Sequence, residues 1–74
     1  MKKTQFSRSF GLRLRTALGN AGMTEMDLAE KAGIHMVTIS HYVNGRNLPR
    51  MDIAARLAAH LGVSLDWLAG VEDA

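Results

Sequence analysis

Residues 24–45 read TEMDLAEKAGIHMVTISHYVNG, and the order of small, glycine and apolar positions in this stretch decides the fold. Two helical periods follow each other with almost no linker. In the first, Leu28, Ala29 and Ala32 form one inner face, and Gly33 ends the helix. Thr24 offers a hydroxyl to the first free amides, and Asp27, three residues later, imitates a capping box with a shorter acid than the usual Glu. The second period starts near His35 or Met36 and turns Ile39, Tyr42 and Val43 inward. It stops at Asn44-Gly45, two residues that tolerate left-handed backbone angles. Ala29 lets the two helices approach closely, Gly33 makes the turn, and Ile34, Ile39 and Tyr42 pack the pair onto the rest. Such a pair crosses steeply and leaves its second helix projecting outward.

The flanks extend the helical pattern in both directions. Upstream, Phe10, Leu14, Ala17, Leu18 and Ala21 set a helix from about Ser9 to Ala21, with Gly19 weakening its last turn and Gly22 as the stop. Downstream, Pro49 is expected to open a fourth helix, in which Ile53, Leu57 and Leu61 recur every four residues while Ala54 and Ala58 allow close approach. Gly62 closes it. Ser64 then caps a short fifth helix with Asp66 in its first turn, Leu65 and Leu68 pointing at the core, and Gly70 as its end. The expected architecture is therefore all-α, a compact five-helix domain over residues 9–70. Residues 1–8 are expected as a flexible basic arm and residues 71–74 as a frayed tail.

Composition limits what such a domain can do. At 74 residues the chain is one domain at most, and 47% hydrophobic against 5% aromatic residues with a single proline favours packed helices. The lack of cysteine excludes disulfides and thiolate metal sites. No apolar run approaches the roughly 20 residues that span a bilayer. No apolar block follows Met1-Lys2-Lys3, so no signal peptide is read and a cytoplasmic location is expected. His35, His41 and His60 lack metal-site spacing, and neither a glycine-rich phosphate loop nor a nucleophile motif occurs. We therefore expect no enzyme, cofactor, membrane partner or small-molecule ligand. The net charge is only +2, but residues 1–24 hold Lys2, Lys3, Arg8, Arg13 and Arg15 without an acid, and Arg46 and Arg50 form a second basic group. This distribution permits a polyanionic partner without demanding one. The outward second helix of the 24–45 unit points the same way, toward a DNA groove.

The chain resembles the lambda-repressor/Cro-type (XRE-like) helix-turn-helix proteins from about Leu12 to Gly70. The most specific parts are Leu28-Ala29-Glu30-Lys31-Ala32-Gly33, Thr38-Ile39-Ser40, Asn44-Gly45-Arg46 with Pro49, and Leu61-Gly62-Val63-Ser64-Leu65-Asp66-Trp67-Leu68. The resemblance implies a bacterial or phage transcription regulator, a repressor that binds double-stranded DNA as a homodimer on two half-sites about 34 Å apart. It assigns base reading to Met36, Val37, Ser40 and His41 on the third helix, and Asn47 matches a position that sometimes reaches a base. Met36 and Val37 have no hydrogen bond to offer, so a thymine methyl is their natural target; His41 can donate or accept. Thr24, Thr38, Asn44, Arg46 and Arg50 can supply phosphate contacts. The plain alternatives are core packing for Met36 and Val37, a solvated His41, a capping Thr24, a turn-forming Asn44 and a solubilising arginine rim.

Three departures from the family pattern carry expectations of their own. Glu25 stands where the family usually has Gln beside a phosphate, and a carboxylate there repels phosphate while suiting the helix N-terminus. Leu18 and Val43 occupy the positions of a largely buried Arg–Glu pair, so both charges are gone together and the two side chains are expected to touch. Apolar replacement of such a pair is often neutral or stabilising by ~1–4 kcal/mol. His35 replaces a Ser or Thr cap, whose loss costs ~1 kcal/mol. That reads as a structural compromise, with approach to a phosphate as the alternative. Two other readings of the whole chain stand beside the main one. An antitoxin-like protein-interaction module predicts tight partner binding with weak DNA affinity, and a piece of a longer regulator predicts poor dimerisation.

Overall fold

The computed structural model describes residues 3–71. Their helices are α1 (Lys3–Ala21), α2 (Glu25–Ala32), α3 (Met36–Val43), α4 (Met51–Leu61) and α5 (Leu65–Ala69). No strand occurs among the described residues. The side chains sealed most completely are Leu14, Leu28, Ile39, Leu57 and Leu68, one from each helix, so a single core ties all the elements together. Full burial of each is worth about 1.5–3 kcal/mol. Around them α1 packs on α3, α5 and α4, while α2 packs on α3 and α4.

Local chemistry ends most elements where the sequence places the ends. The Thr24 hydroxyl accepts from the Asp27 amide at 3.0 Å, and the Asp27 carboxylate accepts from the Thr24 amide at 3.0 Å, completing the capping box. Gly33 turns the chain out of α2 at φ 69°, a left-handed angle costly for a residue with a Cβ. The Ser64 hydroxyl caps α5 by accepting from the Trp67 amide at 3.0 Å.

The boundaries differ from expectation at three places. α1 starts at Lys3, not near Ser9. No proline or glycine interrupts residues 3–9, and Ser7 carries the buried stripe of Phe10, Leu14 and Ala17 back by a turn. Residues 3–8 of the expected arm are thus helical, while its residues 1–2 and residues 72–74 of the expected tail lie outside the described residues. Pro49 does not open α4: Arg50 is the N-cap at φ −60°, ψ 160°, and the first helical residue is Met51. The extended ψ of Arg50 holds the helix off by two residues after the proline. At the end of α3, Gly45 alone takes the left-handed angle, at φ 74°, while Asn44 sits at φ −86°, ψ 4°. The bond from the Arg46 amide to the His41 carbonyl, 2.9 Å, then closes the turn around Gly45.

Two backbone approaches seat α3 on α1. A Cβ on Gly11 would stand 2.5 Å from the Val43 carbonyl oxygen and 2.8 Å from that of Tyr42, so only glycine lets α1 lie against the last carbonyls of α3. A Cβ on Gly45 would meet the Cα of Arg8 at 3.1 Å. Leu18 and Val43 are both buried in the same apolar cluster, which leaves the positions of the absent ion pair dry and uncharged.

Candidate nucleic-acid interface

α3 is held by one side and open on the other. Ile39, Tyr42 and Val43 are buried, whereas Met36 and Val37 in the first turn are 42% and 54% exposed. Thr38, Ser40 and His41 are half-buried. The first turn is closed by His35, whose Nδ1 accepts from the Val37 amide at 3.2 Å. His35 therefore acts as the cap.

Beyond the open face, α3 and the loop after it enclose a polar cleft of about 370 Å³. Thr38, His41, Arg46 and Asn47 line it together with Tyr42 and Leu48. Thr38 and His41 share a helix face at i, i+3, and the turn at Gly45 brings Arg46 and Asn47 back beside them. This cleft gathers four of the expected contact residues. Met36, Val37 and Ser40 lie on α3 outside it, and the Ser40 hydroxyl accepts from the Asn44 amide nitrogen Nδ2 at 3.3 Å.

The remaining expected residues sit at the rims. Thr24 is exposed and Glu25 half-buried at the start of α2. The Thr24 oxygen accepts from the Asp27 amide, and the Thr24 amide donates to the Asp27 carboxylate. These hydrogen bonds from the Thr24 amide and hydroxyl hold the Asp27 carboxyl below its ordinary value of 3.8. Arg50 is exposed but engaged: its Nη2 lies 3.0 Å, and its Nε 3.2 Å, from the Asp52 carboxylate oxygens. An exposed pair of this kind is worth about 0–1 kcal/mol, so a phosphate can compete for it.

Two cations serve the fold, and nothing near them in sequence reveals it. Arg56 donates to the Ala32 carbonyl at 3.1 Å, satisfying the C-terminus of α2. Arg13 donates to the Trp67 carbonyl at 3.0 Å, with its guanidinium carbon 5.1 Å from the Trp67 ring centroid. Leu48 and Tyr42 in the cleft were likewise not expected there; the return of the loop after Gly45 brings Leu48 in. Among the described residues, no helix is long and apolar enough to cross a membrane, and no group of three His, Asp or Glu side chains could hold a metal ion.

A buried-side, open-side helix after a tight glycine turn defines a class, and the chain belongs to it: a family model described as Helix-turn-helix matches residues 14–68, which makes this a member of the XRE-type helix-turn-helix family. Among curated proteins, it is 32% identical over 65 residues to Multiprotein-bridging factor 1 of Eremothecium gossypii, across 88% of this chain and 43% of that protein. This chain thus spans less than half the length of that relative. Among solved structures, the clp gene regulator ClgR from Corynebacterium glutamicum shares the fold at a TM-score of 0.82 and 23% identity, covering 86% of this chain and 82% of that one. The hypothetical transcription factor NHTF from Neisseria does so at 0.83 and 20% identity, with coverage of 93% and 79%. The competence regulator ComR from Streptococcus vestibularis matches at 0.80 and 25% identity, over 92% of this chain and 23% of that one.

Proposed function

We propose that this protein recognises a specific double-stranded DNA sequence as a homodimer on a two-fold operator and represses transcription there, in the cytoplasm. One observation carries the reading: α3 keeps Met36 and Val37 in solvent while the opposite side of the same helix is sealed. Placing α3 in a major groove covers those side chains with thymine methyl groups and sets His41, Ser40 and Asn47 near base edges. Thr24, Thr38, Asn44, Arg46 and Arg50 then meet phosphates and fix the register. Glu25 lies beside the same backbone as a repulsive element, so Glu25→Gln tightens binding. An unchanged or weaker affinity for the variant counts against this docking.

Selection of binding sites from a random duplex pool tests the whole reading. The expected result is an enriched motif with two-fold symmetry, its half-sites about one duplex turn apart. A pool that shows no enrichment, with tight capture of a protein partner, favours the interaction module instead.

A further inference from the structure

Five basic residues and no acid lie in residues 1–24, yet the helix that the proposed function places in a groove is α3. The basic residues of α1 with described side chains divide into two kinds. Arg13 is spent inside the fold on the Trp67 carbonyl and ring. Arg8 and Arg15 are exposed, and among the described residues the ion pair present is that of Arg50 with Asp52. Arg8, Leu12 and Arg15 stand at i, i+4 and i+7, one face of a helix. That face is placed by Gly11, whose missing Cβ lets α1 lie on the Val43 and Tyr42 carbonyls. As a result Arg8, Leu12 and Arg15 line one cleft of about 260 Å³ with Val43 and Asn44, at the C-terminal end of α3.

We infer that this α1 face is a second phosphate-binding surface, in which Arg8 and Arg15 grip the backbone of the same duplex that α3 enters. It rests on the DNA-binding reading and extends it. The contact begins where Asn44 ends the α3 surface and continues along α1. Because α1 is helical through Arg8, the two guanidinium groups are held on a rigid rod, separated by about two turns, or roughly 10 Å. Their charges face no carboxylate of α1, since the helix has none. Such contacts position the protein and carry no sequence information.

Salt dependence tests this directly. The full chain is titrated against a fluorescent random-sequence duplex from about 50 to about 200 mM salt, and log affinity is plotted against log salt. Arg8→Gln and Arg15→Gln are each expected to flatten the slope by about 0.9, and the double variant by about twice that. Both variants keep the wild-type melting temperature, because neither side chain is buried. Arg13→Gln does the opposite, lowering the melting temperature and leaving the slope unchanged. Slopes equal to wild type in the Arg8 and Arg15 variants overturn the inference while leaving the DNA-binding reading intact. A wild-type chain with no salt-dependent duplex binding removes that reading, and this inference with it.

Discussion

α2 and α3 are eight residues long, share one glycine-bearing turn and bury one face each, but their stability comes from different places. α2 is closed at both ends by its own neighbours, a reciprocal capping box at its start and Gly33 at its end, and a single distant cation, the Arg56 guanidinium, is added on the Ala32 carbonyl. Its solvent side carries Asp27, Glu30 and Lys31 besides the exposed Met26, the mixture expected of a hydrated helix. α3 has no lysine, arginine or carboxylate at all, and a single ring nitrogen caps its start. It is hung on α1 by tertiary contact, through Ile39, Tyr42, Val43 and the bare Cα of Gly11. The lesson is that α2 works as a frame and α3 as the part held against it with one side open; under the proposed function, a helix free of carboxylates on that open side meets a polyanion without repulsion.

The sharpest way to break this contrast is to charge the seat of α3. Val43→Glu buries an unpaired carboxylate and is expected to cost about 3–5 kcal/mol in urea unfolding. Adding Leu18→Arg returns a counter-ion and recovers a good part of the loss. A small penalty for Val43→Glu alone, or no recovery in the double variant, refutes the view that these two positions share one dry cluster.

Next in size is the difference between the two sides of α3. Ile39→Ala opens a cavity at a fully sealed site and costs about 2–5 kcal/mol. Val37→Ala, on the exposed side, changes stability by less than about 0.5 kcal/mol. It changes which base pairs are preferred in a selection experiment instead. Equal stability losses at the two positions would mean that α3 is not one-sided.

How much of this was legible in the sequence depends on how local each cause is. The capping box at Thr24, the stop at Gly33, the cap at Ser64 and the inward faces of α2 to α5 are set within four residues, and the sequence pattern locates them. The outward set of Met36, Val37 and His41 also follows from helical spacing once the family pattern is recognised. What escaped the sequence depends on partners far along the chain. Arg13 finds Trp67 and Arg56 finds Ala32 only after folding. Residues 3–8, polar but for Phe6, read as an arm because the burial at Ser7 that joins them to the core stripe depends on packing rather than hydrophobicity. Gly11, on which the sequence pattern is silent, takes its role only once the carbonyls of α3 are set against it.

That last residue offers a paired test inside one helix. Gly11→Ala drives a methyl into two backbone carbonyls and is expected to destabilise by about 1–3 kcal/mol, since the neighbouring backbone has little room to yield. Gly19→Ala meets nothing within 4 Å and should stabilise by about 0.5–1 kcal/mol through helix propensity. If both glycines respond alike, the seating of α3 by α1 is wrong, because propensity alone then explains them.

The smallest effect separates the capping chemistry of the two helices by pH. Asp27 is held below its ordinary value of 3.8 by the Thr24 amide and then the Thr24 hydroxyl, with Lys31 adding a lesser pull. A carboxyl whose value is lower folded than unfolded contributes stability that is complete above the unfolded value and drains away as pH falls through the folded one. α3 has no carboxylate to lose in that window. Melting temperatures of wild type and Asp27→Asn should therefore differ near neutral pH and converge only in stronger acid, once the pH has fallen past the lowered folded-state value and the wild-type carboxyl is protonated too. A difference that persists unchanged into acid means that the capping box does not depend on the carboxylate charge, and that α2 is closed by shape rather than by an ion.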